Sequence, residues 1–422
     1  MGLMRAARPG PHYAWVIVLL GHLNIFSALG LGRFSYAMIL PSMKEGLRLT
    51  YAETGWLATG NFVGYLVASL LAGLAASRWL PRRLLLLALL GLAASLAATA
   101  AAGGFVSALL ARTLTGLASG SVYIPAMSLP NLWFAPQRRG MAAGIQTGGS
   151  GLGLITSGLA VPWILAWLGP EGWRQAWLVL AGLVVLVWLL TALFLRNRPE
   201  ELGALPLGAS QAAPPPATER PAWREVFANA DLWALGGIFA CFGVSYVVYV
   251  TFFAAHLAQA GGLSAETAGR LWGLVGLLSL VSGLLWGAVA DRIGRLAGLA
   301  VVFALHATAF AVFALAQTGP VFVASVVLFG LSAWSIPAIM AAAAPDYVGT
   351  RLAPAGLGFI TIIFGIGQAA GPPIAGRLAD WTGSFAVAYL LASGMALVGA
   401  AAALGLRAHQ RTRGLREGVR EA

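Results

Sequence analysis

Residues 264–295 read SAETAGRLWGLVGLLSLVSGLLWGAVADRIGR. From Leu271 to Ala290 no side chain is charged, and Asp291-Arg292-Ile293-Gly294-Arg295 closes the run. A helix needs about 20 apolar residues to cross a bilayer, and this stretch supplies them. It is rich in Leu, Gly and Ala and lacks the alternation of a barrel strand. Lipid offers backbone groups no hydrogen bonds, so such a run must cross as a helix.

Similar runs recur along the chain. We predict twelve spans: 13–40, 53–77, 84–101, 104–132, 140–168, 173–195, 231–257, 264–290, 296–316, 320–344, 354–378 and 384–406. Of the 422 residues, 59% are hydrophobic and only 9% charged, against about 25% charged in soluble domains. That composition excludes an ordinary cytosolic enzyme, and also a disordered chain, which needs low hydrophobicity. The single cysteine, Cys241, excludes a disulfide framework and a cysteine-based metal site. The first run carries Arg33 and is too long for a cleaved signal peptide.

The basic residues give an orientation. With the N-terminus placed in the cytoplasm, nineteen arginines fall in inner segments, and only Lys44 and Arg48 fall in outer loops. The positive-inside rule then puts both termini in the cytoplasm. It also accounts for the formal net charge of +12 without nucleic acid, as attraction to anionic lipid heads reinforces the same asymmetry.

The longest hydrophilic stretch is 196–230, with Pro214-Pro215-Pro216, and reads as an extended cytoplasmic linker. Residues 1–195 and 231–406 form two six-helix bundles in this reading, and 407–422 is a basic cytoplasmic tail. Matching words support a duplication. Gly73-Leu-Ala-Ala-Ser77-Arg78 precedes Gly287-Ala-Val-Ala-Asp291-Arg292 by 214 positions, and Ile124-Pro125-Ala126-Met127 precedes Ile336-Pro337-Ala338-Ile339-Met340 by 212. A third word, Gly376-Arg-Leu-Ala-Asp380-Trp-Thr-Gly383, repeats the spacing at the opposite membrane face, as an inverted repeat within each half would.

These words resemble those of the major facilitator superfamily. Gly287-x-x-x-Asp291-Arg292-x-Gly294-Arg295 resembles its cytoplasmic-loop signature, which is degraded after the second span, where Ser77 replaces the acid. Arg112-Thr-Leu-Thr-Gly116-Leu-Ala-Ser-Gly120 resembles its fourth-helix motif, and Gly144 through Gly158 its fifth. Gly30-Leu-Gly-Arg33-Phe-Ser-Tyr36 and Gly55-Trp-Leu-Ala-Thr-Gly-Asn61-Phe-Val-Gly64-Tyr65 are similar to a bacterial YbfB-like branch. Arg196-Asn-Arg-Pro-Glu-Glu-Leu-Gly203 is shared with the monocarboxylate and oxalate–formate branch, whose span-eight arginine is replaced here by Gly283. The resemblance implies an all-α membrane fold of twelve helices in two pseudo-symmetric bundles. It also implies a monomer in the inner membrane, with spans one, four, seven and ten around a central cavity. Arg78, Asp291, Arg292 and Arg295 are expected to latch the cytoplasmic loops.

Polar residues form helical stripes on those spans: His22, Phe26, Leu29, Arg33 and Tyr36 on the first, Arg112, Thr115, Ser119 and Tyr123 on the fourth, and Ser245, Tyr249, Phe252 and His256 on the seventh, with Trp334 on the tenth. Such stripes are costly against lipid and should face protein or water. Arg33 and Arg112 should lie at similar depth, about 10 Å below the outer surface, with only Glu53 near enough to pair. Arginine cannot shed its proton, so two arginines with one acid leave positive charge for a carboxylate to complete. Alternatively, Arg33 pairs with Glu53 as a staple and Arg112 is structural. Expected solute contacts are Arg33, Tyr36, Arg112, Tyr123, Tyr249, Trp334 and Gln368. Candidates for proton coupling are Glu53, Arg112 and His256, and no acid lies deep in a span. Arg377–Asp380 and Arg270–Glu266 are expected to be interfacial ion pairs, and Pro372-Pro373 to kink span eleven. No phosphate-cradling glycine loop, catalytic set or metal cluster is visible, and no cofactor is expected. The sequence therefore predicts a secondary transporter of a small organic anion, with protons as a candidate coupling ion. Export of apolar or cationic compounds and a non-transporting sensor or scaffold are the alternatives.

Overall fold

A computed structural model describes residues 12–76, 80–169, 171–209 and 223–421. The described residues are almost wholly helical. The long helices are α1 (Ala14–Gly46), α2 (Tyr51–Ala76), α3 (Pro81–Ala100), α4 (Phe105–Trp133), α5 (Pro136–Leu168), α6 (Gly172–Phe194), α7 (Ala230–Gly261), α8 (Ala265–Ile293), α9 (Arg295–Leu315), α10 (Gly319–Gly349), α11 (Leu352–Thr382) and α12 (Ala386–Glu421). Among the described residues, eleven helices are long and apolar enough to cross a membrane, and α2 is a further helix of 26 residues. Large apolar side chains such as Leu284, Trp163, Trp167 and Trp381 remain exposed, as befits a surface that meets acyl chains and their headgroup border.

Local chemistry sets the helix ends. Pro81 and Pro136 open α3 and α5, where a missing N–H costs nothing. The Asn229 and Ser264 side chains accept from the Leu232 and Thr267 amides to cap α7 and α8. Gly262, at φ +57°, ends α7 in the left-handed conformation that glycine tolerates.

Helices α1–α6 pack largely on one another, and α7–α12 do the same. Between the groups, α2 meets α11, α5 meets α8, and α1 meets α7. Glycines allow the close approaches. A Cβ on Gly158 would lie 2.4 Å from the Gly269 carbonyl oxygen, and one on Gly153 would lie 2.1 Å from the Gly30 Cα. Gly153 and Gly158 thus bring α5 against α1 and α8.

Two breaks position the site. Phe26–Phe34 within α1 is π-helical, a local widening often found at functional sites. The segment contains Gly30, which lies against Gly153 of α5. In α10 the helix stops at Gly330 and resumes at Ser335. Pro337 then sits in a first turn, where its lost donor is harmless. The Ser282 hydroxyl accepts from the Trp334 amide across this gap.

The stretch after α6 departs from the expected extended linker. Pro199–Leu202 forms a short 3-10 turn. The Leu207 amide donates to the Trp133 carbonyl at 2.8 Å, and the Ala135 amide donates to the Leu207 carbonyl at 3.1 Å, pinning the chain to the end of α4. Residues 210–222, with the three prolines, lie outside the described residues.

Candidate functional site

The end of the molecule where α1 passes to α2 is sealed by an accounting of backbone donors. The first amides of a helix lack intrahelical partners. At the start of α2, the Thr50 amide donates to Glu53 Oε2 at 2.8 Å, and the Glu53 amide donates to Thr50 Oγ1 at 3.2 Å. This is a reciprocal capping box. The Tyr51 and Ala52 amides donate to the two carboxylate oxygens of Asp380, each at 2.9 Å, from the end of α11. Deeper in the same interface, Thr59 Oγ1 donates to the Ala369 carbonyl at 2.7 Å. Pro373, four residues beyond Ala369, has no N–H to satisfy that carbonyl, so the proline pair frees the acceptor that α2 uses.

Two sequence expectations are corrected here. Glu53 does not pair with Arg33, because its carboxylate is engaged with Thr50 at its own helix start. Asp380 does not pair with Arg377, whose guanidinium lies over the Trp381 ring. Arg270 and Glu266 do form their expected ion pair, at 2.5 Å.

Inside this seal lies Arg33. Its guanidinium stands 4.1 Å from the Tyr65 ring centre and 4.9 Å from that of Phe62, both on α2. Stacking over ring faces offsets part of the charge and provides no hydrogen-bond acceptor. Nε and Nη2 of Arg33 are buried without a partner. Tyr65 packs edge-on to Tyr123 of α4, and Phe34 lies 5.3 Å from Trp334 of α10. The Trp334 ring meets Tyr246 of α7 edge-on, and the Gln368 amide of α11 donates to the Tyr246 hydroxyl. Behind Tyr246, a near-parallel set of rings formed by Phe242, Phe364 and Phe239 extends along α7 and α11. The site therefore draws on both groups of helices, with one cation, three tyrosines and an apolar wall.

Arg112 is held differently. It is 1% exposed, its Nη1 donates to the Gly32 carbonyl at 2.9 Å, and it lies 5.0 and 4.9 Å from the Tyr36 and Trp177 rings. These contacts bind α4 to the π-helical part of α1 and to α6. Nε of Arg112 remains buried and unpartnered. Among the described residues neither arginine has a carboxylate partner.

The structure brings Arg33, Tyr123, Trp334 and Gln368 together and leaves other expected residues elsewhere. Tyr36 is buried and donates to the Thr54 carbonyl at 2.8 Å. A π-helical turn advances less per residue than an α-helical one, so the stripe drawn from Phe26 to Tyr36 at α-helical spacing does not survive. Tyr249 points away from the interface. It is fully buried among Phe253, Phe310, Phe313, Phe329 and Tyr389, with its hydroxyl 3.2 Å from Ser325 Oγ. His256 lies in the same aromatic core, its Nε2 2.8 Å from the Phe313 carbonyl. The stripe expected on span seven thus faces inward to its own group, and Tyr246, missed in the sequence, occupies the interface. Phe62 and Tyr65 were missed too, although they sit in the Gly60-Asn-Phe-Val-Gly-Tyr65 word, whose glycines mark a close helix contact. Of the expected latch, Arg78 lies outside the described residues, and Asp291 and Arg292 are exposed. Arg295 bonds Asp346 and the Ala342 carbonyl of α10. With Asp231, Asp291 and Arg407 it lines a separate cavity of about 1040 Å³ among α7–α10 and α12.

This arrangement, two helix groups meeting over a polar site inside a membrane-spanning bundle, is that of a transporter of the major facilitator superfamily. Solved structures agree on the fold. A bacterial homologue of the human lysosomal transporter Spinster, inward-facing and unoccupied, matches with TM-score 0.73 at 18% identity over 96% of each chain. The nucleoside transporter NupG matches with TM-score 0.75 at 14% identity over 92% of this chain and 99% of its own. Residues 25–404 match the family described as uncharacterised MFS-type transporter YbfB, and the chain belongs to that family. It is a multi-pass membrane transporter and not an enzyme. Among curated relatives, the probable sulfoacetate transporter SauU of Cupriavidus necator is 27% identical over 88% of this chain and 89% of its own. The hexuronate transporter of Bacillus subtilis is 26% identical over 87% and 88%. The 3-(3-hydroxy-phenyl)propionate transporter of Escherichia coli is 28% identical over 85% of each.

Proposed function

We propose that this protein is a secondary active transporter that carries a small organic anion across the bacterial inner membrane by alternating access. In this reading twelve spans form two six-helix bundles, 1–195 and 231–406, joined by the 196–230 linker. Both termini and the basic tail lie in the cytoplasm, and the working unit is a monomer. The observation that carries the proposal is Arg33. It is a permanent cation at the interface of the two groups, cushioned by ring faces, with buried N–H donors unpartnered and no acid beside it. A carboxylate or sulfonate would take those donors side-on. The Tyr65, Tyr123 and Tyr246 rings and the apolar wall behind them would hold the solute's body. The three relatives named above are transporters of organic acids, which supports the same class. A cationic solute would meet like charge at this site, which disfavours the drug-efflux alternative.

The seal between α2 and α11 closes the extracellular end in this orientation. Glu53 is committed to its helix cap and His256 to an aromatic core. With Arg112 tied to the Gly32 carbonyl, proton coupling then runs through the acid group of the solute itself.

The test is transport by purified protein in liposomes, using a panel of labelled carboxylates, sulfonates, amines and neutral compounds. At least one organic acid should be moved, and Arg33→Gln should reduce that flux at least tenfold, roughly the 1.4 kcal/mol of one charge-assisted contact. Movement of amines alone would overturn the reading.

A further inference from the structure

Arg33 and Arg112 share a wall. Together with Tyr36, Asn61, Phe62 and Thr251 they line a cavity of about 10 Å³ that extends from the α1–α2–α4 contact to α7. That is room for a single water-sized body, far below the several hundred Å³ that an organic ligand fills. We propose that this cavity is a binding site for a compact inorganic monoanion of chloride size. Such an ion would occupy the two arginines when the transporter is closed without its solute.

The argument is one of charge. The cavity has two guanidiniums in its wall, and arginine stays protonated in proteins. Arg112 is 1% exposed with Nε unpartnered, and Arg33 Nε and Nη2 are buried and unpartnered. The helices around the cavity bring no counter-charge. The acids of α1 and α2 are Glu45 and Glu53, both at the helix ends that face the α1–α2 turn, and Glu53 is engaged by Thr50. From Thr54 to Pro170 the chain has no Asp or Glu, so α3, α4 and α5 contribute none, and α7 has only Asp231 at its far end. Ring faces and the Gly32 carbonyl soften the field around Arg112 without cancelling it. An uncompensated buried charge is strongly destabilising. A water molecule would fill the space but neutralise neither cation. A monoatomic anion accepts from several donors at once, and chloride, somewhat larger than a water molecule, requires the side chains of the wall to give slightly. The inference concerns the solute-free state, and it stands whichever organic acid is carried.

A direct test uses the purified full-length protein in detergent, without any organic solute. Its thermal unfolding midpoint is followed as sodium chloride replaces sodium gluconate at constant ionic strength, with bromide in parallel. The expected result is a saturable rise of a few degrees with chloride and bromide and none with gluconate. Asn61 is 1% exposed in the cavity wall, so Asn61→Asp would supply a built-in carboxylate. That variant should lose the chloride response, whatever its midpoint in gluconate, because the Asn61 amide also gives up its bond to the Arg112 carbonyl at 3.3 Å. Arg33→Gln, which removes one of the two charges, should need at least tenfold more chloride for half of the effect. Equal wild-type midpoints in chloride and gluconate over the whole range would overturn the proposal and assign the cavity to water. An Asn61→Asp variant as chloride-sensitive as wild type would also overturn it. Neither outcome bears on the liposome assay, in which organic-acid flux is scored in chloride-free buffer.

Discussion

In the proposed orientation, replacing Asp380 with Ala should open the extracellular end. In the closed structure its carboxylate satisfies the Tyr51 and Ala52 amides of α2 from the other helix group, at 2.9 Å each. In an outward-open state those amides would turn to water. Asp380 is exposed, so the bonds are worth less than buried ones. The nearest measured analogue is removal of an N-cap side chain, which costs about 0.5–2 kcal/mol. The α2 dipole favours the carboxylate by a further 0.3–1 kcal/mol or so. A net bias of about 1–2 kcal/mol changes an equilibrium roughly 5–30-fold. Asp380→Asn keeps one acceptor oxygen without the charge and should produce a smaller change.

The readout is cysteine accessibility. Cys241 is the only native cysteine and is buried, so a Cys241→Ser background is blank. Ala58 is 4% exposed beneath the seal, and Ala58→Cys should react with a membrane-impermeant thiol reagent only when the end opens. With opening fast relative to labelling, the rate tracks the open fraction and should rise about 5–30-fold in the Asp380→Ala protein. A rate within twofold of the parent would refute the reasoning, because the two bonds would then contribute nothing to the closed state.

Other outcomes follow from the same geometry. Gly153→Ala places a Cβ 2.1 Å from the Gly30 Cα and should cost about 1–3 kcal/mol through overpacking, seen as a lower thermal midpoint. Tyr249→Phe removes a hydroxyl that touches only Ser325 among the described residues. It should cost about 1 kcal/mol in stability and leave the apparent solute affinity unchanged in the liposome assay. Arg112→Gln loses the Gly32 bond and both ring contacts and should lower the midpoint more than Arg33→Gln does. Glu53→Gln keeps the shape of the capping box and should leave any pH-gradient-driven uptake within twofold of wild type. Loss of that uptake with an unchanged midpoint would return Glu53 to the proton pathway.

What could be read in the sequence was whatever depends on local pattern. The eighth helix is Ala265–Ile293 where 264–290 was expected, because hydropathy and a serine cap both mark it. The phase of α7 could not be read in this way. Its apolar window is 89% buried, so every face is covered and no polar–apolar contrast shows which side meets the other group. The expected stripe selects Tyr249, three residues from Tyr246, and packing puts Tyr246 at the interface instead. The phase of α1 failed for another reason. Gly30 and Gly32 were visible, but only the contact with Gly153 of α5 explains a wider turn there. Ion pairing failed where the partner is distant in sequence. Arg377 and Asp380 have the spacing of a helix-surface pair, yet Asp380 serves a helix start more than 300 positions earlier.

The two arginines show why identical side chains at similar depth need not share a role. Every contact that positions Arg112 comes from its own helix group: Gly32 and Tyr36 of α1 and Trp177 of α6. Separating the groups would leave those contacts intact. Arg33 is cushioned by Phe62 and Tyr65 of α2, while Tyr246, whose hydroxyl interacts with it, belongs to the other group. Movement of α7 and α10 would change its surroundings from rings to water or solute. In the proposed alternating-access cycle the cation that feels the movement is therefore Arg33, and Arg112 fixes the π-helical segment from which Arg33 projects. A solute that brings its own negative charge to Arg33 would change the relative energy of open and closed states. That coupling of occupancy to conformation is what a secondary transporter requires.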